Sequence, residues 1–156
     1  MREYPYFPIF IDLTDKKIVV IGAGTFAARR ILTLTAFAPD ILVVAPEVHP
    51  SLSEAEETGK IRVARREFRI SDLDDASMVL AATDNRDLNA EICRHCHERG
   101  ILVNDCSDQS RCDFYFPGIA RSGDVVAGVT ASGADHRTAR MVTEKIRRVL
   151  EDQGGD

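Results

Sequence analysis

Val19-Val20-Ile21-Gly22-Ala23-Gly24-Thr25-Phe26-Ala27-Ala28-Arg29-Arg30 decides how the rest of the chain is read. Val19, Val20 and Ile21 are β-branched and continuously apolar, as a strand buried on both faces requires. From residue 25 the placement of Phe26, Ile31, Leu32 and Leu34 predicts a helix over 25–35, with Thr25 as its cap. Between strand and helix stands Gly22-x-Gly24-x-x-Ala27. Gly22 permits a tight turn, Gly24 lets a pyrophosphate approach without a Cβ in the way, and Ala27 keeps the helix close to the strand. The helix N-terminus then offers N–H groups and a positive dipole end to phosphate.

Outward from this turn the chain alternates. The segment 17–21 is the first strand, and Ile41-Leu42-Val43-Val44 a second, closed by Ala45-Pro46. A short polar helix over 51–58 stops at Gly59, and 61–64 is a third strand. Residues 78–82 form a fourth strand, 86–99 a helix with Leu88, Ile92 and Cys96 on one face, and 101–103 a fifth strand. Short apolar strands alternating with helices predict a parallel sheet covered on both sides. The pattern then changes. Segments 114–120 and 125–130, joined by Arg121-Ser122-Gly123-Asp124, read as an antiparallel hairpin. A helix over 136–150 follows, with Ala139, Val142, Ile146 and Val149 on one face, and the polar residues 151–156 are expected to fray. The expected fold is α/β: a Rossmann-like doubly wound parallel sheet over 1–112, then a hairpin-plus-helix region over 113–156.

Composition narrows the function. The chain has 156 residues, 44% of them hydrophobic, which suits one compact core. A net charge of −5 argues against a nucleic-acid surface. No apolar run reaches the length of a membrane span, and Met1-Arg2-Glu3-Tyr4-Pro5 lacks the apolar core of a signal peptide, so a cytoplasmic protein with no membrane partner is expected. The four cysteines, at 93, 96, 106 and 112, then read as reduced thiols. Cys93, Cys96 and His97 fall on one helical face and could hold zinc, but a fourth ligand is missing and Cys96 also suits its helix's apolar face; a core cysteine and no metal site is the expectation.

Ligands of doubly wound sheets bind beyond the carboxyl ends of the strands. Ala81-Ala82-Thr83-Asp84 ends the fourth strand, where Thr83 either contacts a cofactor or caps the next helix. Glu47 stands slightly late for the acidic residue that holds an adenosine ribose, and no arginine ends the second strand for a 2′-phosphate, which favours NAD over NADP.

Taken in order, Pro8-Ile9-Phe10-Ile11-Asp12-Leu13, Val20-Ile21-Gly22-Ala23-Gly24, Val43-Val44-Ala45-Pro46-Glu47, Ala81-Ala82-Thr83-Asp84, Val103-Asn104, Cys112-Asp113-Phe114-x-Phe116-Pro117 and Ser132-Gly133 span nearly the whole chain. This ordered set resembles the N-terminal dehydrogenase domain of the siroheme synthase family. The resemblance implies a homodimer whose C-terminal region makes the dimer contact. It implies oxidation of precorrin-2 to sirohydrochlorin with NAD⁺, in some members followed by Fe²⁺ insertion. By position it implies cofactor contacts at Thr25, Phe26, Pro46, Glu47 and Thr83, beside Gly22 and Gly24.

The chain departs from the family where an active aspartate is usual: Ser107 stands there, in Asn104-Asp105-Cys106-Ser107-Asp108. In an extended segment Asp105 and Ser107 point to one side and Asp108 to the other. Asp105, Ser107 and Asp108 are the candidate catalytic set, the two carboxylates as base and metal contact or, equally, as loop caps. Ala131 stands where some members carry serine. Members commonly continue into a helical C-terminal domain, so a truncated form or a fragment is expected. Arg111, Arg121 and Arg137 are candidates for the substrate's carboxylates, against ordinary solvated surface, and His136 reads as surface. Cys106 and Cys112 flank the active loop, Cys106 most simply as a small buried hydrophobe. The alternative function is a non-catalytic dinucleotide-sensing or tetrapyrrole-binding domain.

Overall fold

The computed structural model describes residue 4 and residues 6–153. The chain forms two compact units, one from Ile11 to Phe114 and one that joins the stretch up to Phe10 to the residues from Tyr115 onward. The hairpin therefore begins its unit after Phe114, and the N-terminal stretch, which the sequence places with the sheet, groups with it instead.

In the larger unit the elements run β1 (Lys17–Ile21), α1 (Thr25–Leu34), β2 (Asp40–Val44), α2 (Ser53–Glu57), β3 (Arg62–Ala64), β4 (Ala76–Ala81), α3 (Arg86–Glu98) and β5 (Leu102–Asp105). The five strands form one parallel sheet in the order β3-β2-β1-β4-β5. The chain direction reverses its progress across the sheet between β1 and β4, which is where such sheets open a crevice. Ile18, Val19 and Val20 have no exposed surface, so β1 is buried on both faces, as its apolar run requires. One face packs Val19, Ile21, Val79 and Val103 against Ile92, Cys93 and Cys96 of α3. Burying each such aliphatic side chain contributes about 1.5–3 kcal/mol.

Local chemistry sets the ends of α3. The Asn85 side chain accepts from the Asp87 and Leu88 N–H groups, and Gly100 leaves the helix at φ 68°. The expected helix 51–58 is instead a 3₁₀ turn, Pro50–Leu52, followed by the short α2. His49 Nδ1 accepts from Ser51 N–H there and tightens the entry. The fifth strand runs further than expected, through Asn104 and Asp105, which pair with Leu80 and Ala81.

In the second unit β6 (Gly118–Ser122) and β7 (Val125–Val129) pair antiparallel, and α4 (His136–Gln153) follows. The expected first strand 114–120 starts late because Pro117 has no N–H to give a ladder. The turn is shorter than expected: Arg121 and Ser122 belong to β6, and Gly123, at φ 55°, with Asp124 makes the two-residue connection. Asp135 caps α4, accepting from Thr138 N–H. The best-buried position of α4 is Thr143, while Val149, expected on the covered face, is 55% exposed. Gly118 allows that approach, since a Cβ there would stand 2.3 Å from Thr143 Oγ1. The helix continues into the expected tail as far as Gln153; residues 154–156 of that tail lie outside the described residues. No described helix is long and apolar enough to cross a membrane.

Candidate active site

A cleft of about 970 Å³ opens at the carboxyl ends of the strands, lined by Gly22, Gly24, Phe26, Pro46, Glu47, Thr83 and Ser107 among others. Gly22 takes φ 104°, and a Cβ there would lie 2.3 Å from Ala82 O on the neighbouring strand end. Gly24 is different. It is the N-cap of α1 with an ordinary φ of −74°, and a Cβ there would meet nothing within 4 Å. No side chain caps α1, and no acidic residue stands in its first turn. Its first N–H groups have no intrahelical acceptor, so the bare end faces the cleft as an anion site. These residues fit a dinucleotide pyrophosphate: the space over Gly24 is open, and the donors around it are uncommitted by any cap.

Gly22, Gly24, Phe26, Pro46, Glu47 and Thr83 line the cleft; Thr25 does not. Thr25 is also the first helical residue and not the cap, because Gly24 occupies that position. Of the candidate catalytic residues, Ser107 lines the cleft, whereas Asp105 and Asp108 do not. Asp105 ends β5 with a side chain of 0% exposure. Its Oδ1 accepts from Ser107 N–H at 2.7 Å and from Ser107 Oγ–H at 2.6 Å, and its Oδ2 pairs with Arg111 Nε at 2.7 Å. Burial works against its charge, but the Ser107 and Arg111 hydrogen bonds outweigh that, and the carboxyl stays below its ordinary value. Asp108 caps the 3₁₀ turn Gln109–Arg111 through Ser110 and pairs with Arg111 Nη1 at 3.1 Å. Arg111 is thus committed to two aspartates and is not held ready for a substrate carboxylate. His136 and Arg137 are exposed at the start of α4.

A residue absent from the sequence reading joins the two polar edges of the cleft. Asn89 of α3 has no exposed surface. Its Oδ1 accepts from Thr83 N–H at 3.2 Å and Thr83 Oγ–H at 2.6 Å, and its Nδ2 donates to Thr83 O at 3.0 Å and Ser107 Oγ at 3.2 Å. Thr83 is therefore no helix cap; Asn85 is. The signal in the sequence was a polar residue on the buried stripe 89, 92, 93, 96 of α3.

Cys106 also lines the cleft, where Arg30 Nη1 lies 3.0 Å from its sulfur and 2.6 Å from Asn104 Oδ1. The Arg30 guanidinium stands 4.5 Å from the Phe26 ring centre. Burial raises the Cys106 thiol to about 11 despite Arg30, and raises Cys93 and Cys96 to about 12. All four cysteines are free, and Cys93 and Cys96 are core residues. Among the described residues no group of three or more His, Cys, Asp or Glu side chains is placed to hold a metal ion.

Among the described residues the cleft lining carries Glu47, Glu67, Asp84, Asp87 and Glu91 and no Lys, Arg or His. Glu67, Asp87 and Glu91 come from elements that the strand-end rule does not single out. A lining of this sign disfavours a second phosphate on the ribose.

Sheet order, bare helix end and cleft define a nucleotide-binding domain of the doubly wound class. The chain belongs to the family described as "Putative NAD(P)-binding", whose model matches residues 9–118. It is 37% identical over 145 residues to siroheme synthase 1 of Serratia proteamaculans, covering 93% of this chain and 30% of that protein. It is 34% identical over 145 residues to siroheme synthase of Sodalis glossinidius, covering 93% of this chain and 31% of that one. The chain thus spans under a third of the length of these relatives. A solved structure titled SirC, precorrin-2 dehydrogenase shares the fold, with a TM-score of 0.79 at 24% identity over 94% of this chain and 74% of that one.

Proposed function

We propose that this chain is an NAD⁺-dependent precorrin-2 dehydrogenase, acting in the cytoplasm in siroheme formation. The reaction removes a hydride and a proton from precorrin-2 to give sirohydrochlorin; bound NAD⁺ supplies the hydride acceptor. The observation that carries the reading is the open, uncapped N-terminus of α1 over Gly24, in a cleft that also holds an acid-backed hydroxyl. Gly22, Gly24, Phe26, Pro46, Glu47 and Thr83 hold the dinucleotide in this reading, with Thr25 at its margin. The acidic lining favours NAD over NADP. The siroheme synthase relatives supply the substrate class.

Within this reading Ser107 is the group that meets the substrate's leaving proton, with Asp105 behind it; Asp108 orients Arg111. The expectation of Fe²⁺ as a second substrate rests on the carboxylates of Asp105 and Asp108. Both are engaged by Arg111 and by neighbouring serines, so the dehydrogenase step alone is proposed. A homodimer is proposed on the exposure of Val125, Met141 and Val149 in the second unit, apolar side chains that a second copy would cover.

The test is to mix purified protein with precorrin-2 and NAD⁺ and follow NADH and sirohydrochlorin by absorbance, alongside Asp105→Ala and Asp108→Ala. Turnover in the unmodified protein, lost in Asp105→Ala and largely kept in Asp108→Ala, is the expected outcome. NAD⁺ binding without turnover would replace the enzyme reading with a dinucleotide-sensing or tetrapyrrole-binding domain.

A further inference from the structure

We infer that Asn89 is a positioning residue that fixes the direction of both cleft hydroxyls, so that Thr83 and Ser107 face a bound ligand as acceptors only. The inference rests on the proposed dehydrogenase reading for its catalytic consequence and on geometry alone for the rest. The orientation of the amide is set by main chain. Thr83 N–H needs an acceptor and Thr83 O a donor, and Asn89 supplies Oδ1 to the first at 3.2 Å and Nδ2 to the second at 3.0 Å. Turning the amide over would set donor against donor and acceptor against acceptor in a site with no exposed surface.

With the amide fixed, the hydroxyls follow. Thr83 Oγ is 2.6 Å from Asn89 Oδ1 and 3.1 Å from Asn85 O, both of which can only accept, so Thr83 donates its one proton to the protein, chiefly along the shorter contact to Asn89; it accepts from Asn85 N–H at 3.2 Å. Ser107 Oγ accepts a hydrogen bond from Asn89 Nδ2 at 3.2 Å and donates one to Asp105 Oδ1 at 2.6 Å. Arg111 holds Asp105 as a carboxylate, an acceptor without a proton to give back. Each hydroxyl has therefore spent its only proton on the protein. What remains toward the cleft is lone-pair density, which matches an N–H donor of the ligand or a proton that the substrate must lose. At Ser107 the proton balance is complete: Oγ takes the proton from the substrate as its own proton passes to Asp105 Oδ1, and no further co-reactant is needed.

The two ends of Asn89 can be separated. Asn89→Asp keeps the acceptor that directs Thr83 Oγ and removes the donor that serves Ser107 Oγ, together with the one to Thr83 O. Asn89→Leu removes both. In turnover of precorrin-2, Asn89→Asp should lower kcat at least about tenfold while changing the NAD⁺ dissociation constant less than about threefold. Ser107→Ala should do the same, and the double variant should be no slower than Ser107→Ala, since both act through one hydroxyl. Additive losses, or a parallel loss of NAD⁺ affinity in Asn89→Asp, would overturn the inference in favour of a merely structural amide. The second arm needs no turnover and so stands if the dehydrogenase reading fails. By calorimetry, Asn89→Leu should weaken NAD⁺ binding as much as Thr83→Val, with no further loss in the double variant. Unchanged NAD⁺ affinity in Asn89→Leu, or additive losses with Thr83→Val, would overturn it on its own. Thermal unfolding of each variant shows that the folded protein is being measured.

Discussion

Gly22 and Gly24 stand two residues apart in one motif, and the structure assigns them opposite costs. Gly22→Ala must place an L-residue at φ 104°, which costs about 1–3 kcal/mol by itself. The new Cβ would also stand 2.3 Å from Ala82 O and 2.6 Å from Ala82 C, main-chain atoms that no rotamer change can move. Relieving such a clash means parting the ends of β1 and β4, where Ala82 N–H donates to Ile21 O at 2.8 Å. Overpacking of this kind costs about 1–3 kcal/mol more, so the total is about 2–6 kcal/mol. Gly24→Ala meets nothing within 4 Å and keeps an ordinary φ, so its effect on stability should stay within about 0.5 kcal/mol. Its methyl would stand in the space that a pyrophosphate needs, and NAD⁺ affinity should fall at least about tenfold, or about 1.4 kcal/mol. Urea unfolding reads the first quantity and calorimetric titration with NAD⁺ the second. If Gly22→Ala loses less than about 1 kcal/mol, the close approach of the two strand ends is wrong. If Gly24→Ala binds NAD⁺ unchanged, the bare helix end is not where the phosphates sit, and the functional reading loses its main support.

Three further outcomes follow from the cleft. Arg111→Met leaves the fully buried Asp105 side chain without its ion pair; because Arg111 itself is partly open to water, the loss should be about 2 kcal/mol, below the usual cost of breaking a buried pair, as measured by urea unfolding. Asp105, held down by its hydrogen bonds against the effect of burial, and Asp72, held down chiefly by Arg66, both have folded-state values below the ordinary one. The stability they contribute is therefore complete above about pH 4 and is lost as pH falls through the folded values, so urea midpoints should drop as pH falls below about 4, and less steeply in Arg111→Met. NADP⁺ should bind several-fold more weakly than NAD⁺ at low salt, since its added phosphate meets a lining that carries Glu47, Glu67, Asp84, Asp87 and Glu91, and the gap should narrow with added salt; equal affinities would remove the electrostatic reason for preferring NAD.

What the sequence disclosed was local. A β-branched run, a Gly-x-Gly turn and a helical stripe each lie within one stretch of chain, so β1, the turn and α1 could be read directly, and five such units imply the parallel sheet. The cleft lining was legible where it followed the same rule: Gly22, Gly24, Pro46, Glu47 and Thr83 all stand just past strand ends. Thr25 was misjudged because a hydroxyl residue beside a helix start usually caps it, whereas here Gly24 takes the cap position and leaves the helix end bare. Local pattern ends the fifth strand before Asp105 because polar residues seldom end a buried strand; its place in β5 depends on Arg111 six positions on, which local pattern does not reveal. Asn89 was missed for a similar reason. Its partners, Thr83 and Ser107, come from the ends of β4 and β5, and only the fold brings them to one amide.

The same geometry shows what serine at 107, where the family resemblance implies aspartate, does to the charge beside the cleft. Just past the end of β5 the chain turns at Cys106 and Ser107, not extended as the spacing suggested, and this Asx-type turn carries the side chain at 107 back onto the carboxylate at 105. The carboxylate meets it at 2.6 Å, from inside the sheet edge and not from the cleft. A carboxylate in that place is dry, and a dry charge needs a partner; Arg111 supplies it. The negative charge is thus retained next to the cleft while the surface offered to a ligand becomes a neutral hydroxyl oxygen. Such a site should tolerate the carboxylates of a tetrapyrrole better than an exposed aspartate would, at the expense of a weaker base. Ser107→Asp tests that exchange. It sets a second carboxylate against Asp105, so precorrin-2 binding should weaken and the stability should fall, with the loss relieved in Asp105→Ser/Ser107→Asp. If the single variant binds precorrin-2 as well as the unmodified protein and is no less stable, the buried carboxylate is not what the cleft at Ser107 senses.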